Sequence, residues 1–226
     1  MKINLEEKDE VKGIVVLSGT HNSSMRKIMW DVYKEGKDEE SFFVGLDYKL
    51  EMCAIMNNLE RNINFEKTDN EIINKINDVL KERFNMEEIL CNDIQRFLLL
   101  KALILENIIT NKGLLVIEAL EAEMHPKYQI LFCELLVMIK KKYKTDILLA
   151  THSPYIVFAL ENYSMLYTPE DRTKFYFIDK ENSKVVIKNV SEEVNVIYSS
   201  LGNPFFELEN LECELSREAQ NEHKKI

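Results

Sequence analysis

The sequence predicts an α/β fold with a largely parallel sheet, because strand-like and helix-like segments alternate along the chain. Three short runs are rich in branched apolar residues, as buried strands are: GIVVLSG (13–19), LLVIE (114–118) and DILLATHS (146–153). Each run precedes a segment of helical periodicity. Six glycines and four prolines are few for 226 residues, which favours long helices and few linkers.

The remaining segments carry apolar residues three and four positions apart, as amphipathic helices do. Helices are predicted at about residues 25–35, 41–62, 69–84, 94–110, 127–142 and 155–163, with a final pair at 194–202 and 205–216. Helix 94–110 is apolar nearly all round, so we expect it to be buried, with Asn92 or Asp93 as its N-cap. Residues 174–190 predict a β-hairpin with Glu181 and Asn182 in its turn.

The composition predicts one cytoplasmic domain over residues 1–215, with a helical insertion at about 36–90 and a polar tail at 216–226. A net charge of −10 argues against direct nucleic-acid binding by the isolated chain. The basic run KKKY (140–143) is interpreted as the solvated end of a helix, where lysines complement the helix dipole. The four cysteines show no CxxC spacing, which favours reduced thiols over a disulfide framework. No apolar run reaches about 18 residues, so no membrane span is predicted.

The most specific signal comes from two downstream segments, LLVIEALEAEMHP (114–126) and ATHSP (150–154). Together they resemble the Walker B strand and the switch-histidine loop of ABC-type ATPases. They are similar to those of the SMC-like and AAA-family bacterial ATPases associated with retrons and phage defence, here with degenerate nucleotide-binding motifs. The resemblance implies a P-loop NTPase-like fold, in which a mostly parallel sheet is flanked by helices as in an ABC ATPase head.

In that family an aspartate at the end of the Walker B strand organises Mg²⁺, and the next glutamate activates the attacking water. These two positions hold Glu118 and Ala119 in this chain. Glu118 keeps a carboxylate, either for the catalytic site or as a solvent-facing strand end. Alanine cannot act as a base, and the loss of a positioned base costs about 10²–10⁴ in rate. The resemblance therefore implies severely impaired hydrolysis.

The phosphate loop of such a domain is expected between the strand at 13–19 and the following helix. Backbone N–H groups of that loop cradle the phosphates, and a lysine reaches the β and γ oxygens. The matching segment reads GTHNSSMRK (19–27). Aligned with the family's pattern, Gly19 takes the first glycine, and Asn22 and Ser23 take polar positions of the loop.

Three other positions of this segment depart from the family's pattern. Ser24 replaces a glycine, Met25 replaces the phosphate-binding lysine, and Arg26 replaces the magnesium-binding serine or threonine. These losses weaken nucleotide binding by about two to three powers of ten, from a lost charged donor and a strained serine. Arg26 or Lys27 is the candidate for a substitute positive charge.

Two further elements complete the candidate site. The resemblance implies that His152 contacts a γ-phosphate, whereas the alternative is that it only caps the following turn. In the signature-like segment CNDIQRF (91–97), Gln95 and Arg96 fit the family, but Asp93 stands where glycine is expected and would repel a triphosphate. His125 is interpreted as structural, and no metal ligand is assigned.

The retained frame with lost nucleotide positions implies a pseudo-ATPase that needs no cofactor. Such a protein would act as a structural or regulatory subunit of a complex, in a setting of phage defence. Its partner would be a second copy, an active ATPase, a nuclease or toxin, or a modifying enzyme. One alternative is a weakly active ATPase that binds ATP and Mg²⁺ through Arg26 or Lys27, Glu118 and His152. Another is a non-catalytic, antitoxin- or immunity-like interaction module.

Overall fold

A computed structural model describes residues 11–19, 22–35, 41–44, 66–83, 92–109, 113–122, 124–182 and 184–223. The strands of this part are β1 (Ile14–Gly19), β2 (Ser41–Val44), β3 (Leu114–Glu118), β4 (Asp146–Ala150), β5 (Lys174–Glu181) and β6 (Lys184–Asn189). Its helices are α1 (Asn22–Glu35), α2 (Glu71–Arg83), α3 (Asn92–Leu105), α4 (Pro126–Tyr143), α5 (Pro154–Tyr167) and α6 (Asn195–His223).

The six strands form one sheet in the order β2-β3-β4-β1-β5-β6. All neighbouring pairs are parallel except β5 and β6, which form the predicted antiparallel hairpin. The mostly parallel sheet flanked by helices confirms the predicted P-loop NTPase-like α/β fold. Because β4 lies between β1 and β3, the carboxyl ends of these three strands meet at one edge of the sheet.

The central strands are apolar on both faces, which explains why their sequences are continuous apolar runs. Ile14 and Val16 of β1 belong to the larger hydrophobic core, together with residues of α3, α4 and α5. The alternate residues Val15 and Leu17 belong to a smaller core that α1 covers. Strands β3 and β4 divide their side chains in the same way, as the two-residue period of a strand requires. Helix α3 lies in the larger core and is buried, as predicted.

Several predicted helices differ in extent from those observed, and α3 ends at Leu105 rather than 110. Helix α1 begins at Asn22 rather than 25, and α5 continues beyond 163 to Tyr167. The predicted final pair is one continuous helix, α6, with Pro204 inside it. Helix α6 also runs through the predicted boundary at 215 and ends at His223.

The predicted helix at 41–62 is wrong at its beginning. Residues Ser41–Val44 form β2, which pairs in parallel with β3 and therefore interrupts the predicted helical insertion. The sequence SFFV is rich in residues that suit a pleated strand, and the neighbouring β3 supplies the hydrogen-bonding edge. Residues 45–65, the rest of that prediction, lie outside the described part of the chain.

The basic run at 140–143 is solvated at Lys141 and Lys142, as predicted, but not at Lys140. The side chain of Lys140 is buried, and its Nζ lies 2.9 Å from Oδ1 of Asp146 and 3.5 Å from Oδ2 of Asp171. The same Asp146 oxygen accepts a hydrogen bond from the backbone N–H of Gly13 at 2.8 Å. Lys140 therefore ties the end of α4 to the beginnings of β4 and β1.

Cys133 and Cys213 are free thiols, in agreement with the prediction, whereas Cys53 and Cys91 lie outside the described residues. Burial, and to a smaller extent the Glu121 carboxylate, raise the pKa of the Cys133 thiol. None of the helices that the structure describes combines the length and the apolar character needed to span a membrane.

The buried lysine of α3 makes stability depend on pH. Burial, followed by the charge of Lys81, lowers the pKa of Lys101 from 10.5 to about 8. Between about pH 8 and 10.5 the unfolded chain thus binds more protons at this site than the folded chain, so folding becomes more favourable as pH rises. Across this window we expect the free energy of unfolding of the protein to rise by about 2–3 kcal/mol relative to that of Lys101→Met.

Urea unfolding of both proteins between pH 7 and 10.5 measures this difference. The exposed Lys27→Met serves as the control and should show no such trend. A constant difference between the protein and Lys101→Met would show that Lys101 titrates at its ordinary pKa.

Candidate functional site

The register of the sheet brings the predicted site residues to one edge. Ala150 at the end of β4 pairs with Leu17 of β1 on one side and with Glu118 of β3 on the other. The segment after β1, the turn after β3 and the loop that carries His152 therefore follow three neighbouring strand ends. The predicted convergence of the three motifs is a consequence of this strand order.

Gly19 has a structural reason to be glycine. Its φ is +153°, and a Cβ atom at this position would lie 1.9 Å from the backbone oxygen of Ile178 on the neighbouring β5. Only glycine permits this approach of the two strands. The first glycine of the phosphate-loop pattern is thus accounted for by β5 without a bound phosphate.

Helix α1 begins inside the segment that aligns with a phosphate loop. A phosphate loop of the GxxxxGK type places four residues between its glycines, and Gly19 and Ser24 keep that spacing. The helix, however, begins at Asn22, ahead of Ser24, and residues 20 and 21 lie outside the described residues. Asn22 and Ser23 belong instead to the first turn of α1, and their side chains are not among those described.

Met25 faces the sheet. Its side chain is 2% exposed and belongs to the smaller core with Val116 of β3 and Leu148 of β4. Ile28 and Met29 follow it at helical spacing on the same buried face. The phase of α1 therefore directs position 25 into an apolar layer, where an unpaired lysine charge would be strongly unfavourable.

Arg26 lies next to Met25 and forms an ion pair with Glu118. The Nε atom of Arg26 is 3.3 Å from Oε1 of Glu118, and 52% and 11% of the two side chains are exposed. The resemblance places a magnesium ion between these two positions. In this chain a permanently charged guanidinium lies there instead, and it neutralises the carboxylate. The residues present do not fit a magnesium ion at Glu118 while this ion pair is formed.

The turn after β3 is held from α3. Ala119 has a φ of +49°, in the left-handed region that is unfavourable for a residue with a Cβ atom. The buried Arg96 donates hydrogen bonds from Nη1 to the backbone oxygens of Ala119, at 3.2 Å, and Leu120. The N–H of Ala119 donates to the backbone oxygen of Ala150 at 3.1 Å. Arg96, which the sequence placed only in a signature-like segment, therefore stabilises this strained turn.

Glu121 connects this turn to the loop that carries His152. Its Oε2 accepts a hydrogen bond from the Thr151 hydroxyl at 2.8 Å, and its Oε1 accepts one from the backbone N–H of His152 at 2.7 Å. Ser153 then donates from Oγ to Oε1 of Gln129 on α4 at 2.5 Å. The two motifs that resemble Walker B and the switch loop are thus joined by hydrogen bonds within the chain.

The remaining predicted residues occupy varied environments. Lys27 is exposed on α1, and Gln95 is half-buried on α3. The side chain of His152 is also half-buried. His125 is the N-cap of α4 and accepts a hydrogen bond at Nδ1 from the backbone N–H of Lys127 at 3.2 Å, which agrees with its structural interpretation.

The Glu121 and Arg96 contacts were missed because a carboxylate and a guanidinium that bind backbone groups leave no motif in the sequence. The one available signal was a charged residue, Arg96, within a helix that is otherwise apolar nearly all round. Such a residue needs hydrogen-bond partners when its helix is buried.

Comparison with known proteins supports the resemblance over the centre of the chain. A family model described as "AAA domain, putative AbiEii toxin, Type IV TA system" matches residues 94–157. This range contains β3, α4 and β4, most of α3 and the beginning of α5. By this comparison, residues 94–157 are similar to an AAA-type ATPase domain. Residues 13–27, where the phosphate loop is expected, lie outside this range. No curated protein matches the chain.

The Glu121 contacts predict a specific effect of its removal. Glu121→Ala takes away the acceptor of two hydrogen bonds, and bonds to a charged group contribute about 1.5–3 kcal/mol each. We expect the free energy of unfolding to fall by about 2–4 kcal/mol, with faster amide exchange at His152. Urea unfolding and hydrogen exchange measure the two effects, with the exposed Glu170→Ala as the control. Equal unfolding midpoints for the two variants would contradict the coupling.

Proposed function

We propose that the chain is a pseudo-ATPase, an ATPase-like domain that does not use Mg-ATP and serves as a structural or regulatory subunit of a protein complex. The observation that carries this proposal is the ion pair between Arg26 and Glu118. It places a fixed positive charge at the position where the related ATPases hold their catalytic metal.

Electrostatics supports the proposal. For Mg²⁺ to bind Glu118, the Arg26 guanidinium must leave the carboxylate or remain beside a divalent cation of the same sign. Two like charges about 4 Å apart repel by about 4 kcal/mol per unit charge product near a protein surface. The metal's own attraction to Glu118 must exceed both this repulsion and the lost ion pair, and no serine or threonine hydroxyl stands at position 26 to help.

The neighbouring residues Met25 and Ala119 support the proposal independently. Met25 is buried in the smaller core and supplies no charge for a phosphate. Ala119, at the position of the general base, has no group that accepts a proton from water. One lost position would weaken an ATPase, whereas losses at phosphate, metal and base positions together remove each part of the chemistry.

The hydrogen bonds of Glu121 and Arg96 favour a structural role for the domain. Glu121 and Arg96 fix the turn after β3 and the His152 loop in one arrangement by hydrogen bonds within the chain. An active switch ATPase obtains this order from its nucleotide. The description of the matching family names a putative toxin of a Type IV TA system. Together with the resemblance to defence-associated ATPases, this description supports a setting in phage defence.

Thermal unfolding with and without millimolar Mg-ATP tests the proposal. A ligand at about 100 times its dissociation constant adds about 2.7 kcal/mol, which corresponds to about 5–10 °C in Tm for a domain of this size. We expect no shift with Mg-ATP beyond that with MgCl₂ alone. A magnesium-dependent shift that Glu118→Gln or His152→Ala abolishes would overturn the proposal and establish the weakly active ATPase.

A further inference from the structure

Helix α6 carries an apolar face that is exposed beyond Leu201. Near its beginning Ile197 is fully buried in the larger core, and Leu201 is half-buried against it. Five large apolar residues follow and are 50–70% exposed: Phe206, and four at spacings of three or four residues, which are Phe205, Leu208, Leu211 and Leu215. We call these four residues the α6 stripe.

The α6 stripe continues the face with which the helix packs on its own domain. The positions 197, 201, 205, 208, 211 and 215 are three or four residues apart and so lie on one side of the helix. From 205 to 215 the stripe extends for about 16 Å, or three helical turns. An apolar side of this length is typical of a helix that packs against another element.

A second exposed apolar face lies on the neighbouring α5. Its members, Tyr155, Phe158, Met165 and Leu166, are between 51% and 68% exposed. The ring of Phe158 packs edge to face against Tyr198 of α6, with ring centroids 6.4 Å apart, so the two helices adjoin. Single exposed apolar residues are ordinary, whereas larger exposed apolar patches mark binding surfaces.

The charged residues within α5 and within residues 195–215 of α6 are all glutamates. Helix α6 carries Glu207, Glu209, Glu212 and Glu214 between and beside the residues of its stripe, and α5 carries Glu161. Neither α5 nor residues 195–215 of α6 contain a lysine or an arginine. By helical spacing, Glu207 and Glu214 flank one side of the stripe, and Glu209 and Glu212 flank the other.

This pattern discriminates between possible occupants. A second copy pairing its own α6 stripe would bring glutamates against glutamates, which is destabilising at helix–helix contacts. An anionic membrane surface would be repelled for the same reason. A helix with an apolar face flanked by lysine or arginine satisfies both the stripe and the glutamates.

We infer that the α6 stripe and the adjoining face of α5 bind a basic amphipathic helix of a partner protein. This inference rests on the proposed role as a docking subunit and gives the chemistry of the partner. Apolar contacts with the stripe supply the affinity, and the glutamates select against acidic helices and against a second copy.

The full chain and two synthetic helical peptides of about 20 residues test the inference. One peptide has leucines at heptad spacing flanked by lysines, and its match has glutamate in place of every lysine. Fluorescence anisotropy in the absence of nucleotide measures their affinities.

The protein variants are Leu208→Ser/Leu211→Ser, which removes the centre of the stripe, and Glu207→Lys/Glu214→Lys, which reverses the charge on one flank. All these positions are exposed, so an unchanged Tm verifies that each variant is folded.

We expect the lysine peptide to bind at least about tenfold more tightly than the glutamate peptide, with an affinity that falls as salt increases. The serine variant should weaken binding by about tenfold or more, and the charge-reversed variant should improve binding of the glutamate peptide. Equal binding of both peptides, no binding of either, or affinities that neither variant changes would overturn the inference. A dimer in sedimentation that only the serine variant dissociates would also overturn it, in favour of a second copy.

These outcomes are separable from the test of the proposed function. A Tm shift with Mg-ATP, together with selective binding of the lysine peptide, would reject the pseudo-ATPase and keep the docking surface. No Tm shift together with unselective peptide binding would keep the pseudo-ATPase and reject the docking surface.

Discussion

The ion pair between Arg26 and Glu118 joins the two elements on which a nucleotide site of this fold depends. It links the first turns of α1, where a phosphate loop would end, to the carboxyl end of β3, where a metal would be held. Met25 on the same helix packs into the core below, so α1 is fixed both by apolar contacts and by charge. The beginning of α1 is thus fixed against the sheet on both its apolar and its charged side.

Side chains of the chain also hold the other segments at the carboxyl edge of the sheet. Arg96 binds the backbone oxygens of the turn that begins at Ala119, and Glu121 binds the backbone and hydroxyl of the His152 loop. These groups keep the segments in place that a γ-phosphate orders in switch ATPases. The left-handed turn at Ala119 is held by these hydrogen bonds and not by the conformational preference of alanine.

Much of the fold was predictable because parallel strands buried on both faces leave continuous apolar runs. LLVIE at 114–118 and DILLA at 146–150 form β3 and β4 as predicted. Ser41–Val44 was not recognised as a strand, since four residues ahead of an amphipathic pattern carry little signal and pairing with β3 decides their structure. In the candidate site, the substitutions at Met25 and Arg26 were visible in the sequence. Their consequences were not, because burial of Met25 and pairing of Arg26 with Glu118 depend on the phase of α1 against the sheet.

The coupling free energy between Arg26 and Glu118 is the most direct measure of whether the ion pair replaces the metal. A double-mutant cycle with Arg26→Met and Glu118→Gln, followed by urea unfolding with and without millimolar Mg²⁺, provides it. With one partner half exposed, a coupling of about 1 kcal/mol is predicted, and Mg²⁺ should leave it unchanged. A coupling near zero, or one that Mg²⁺ abolishes, would show that Glu118 remains available to a metal and would contradict this account.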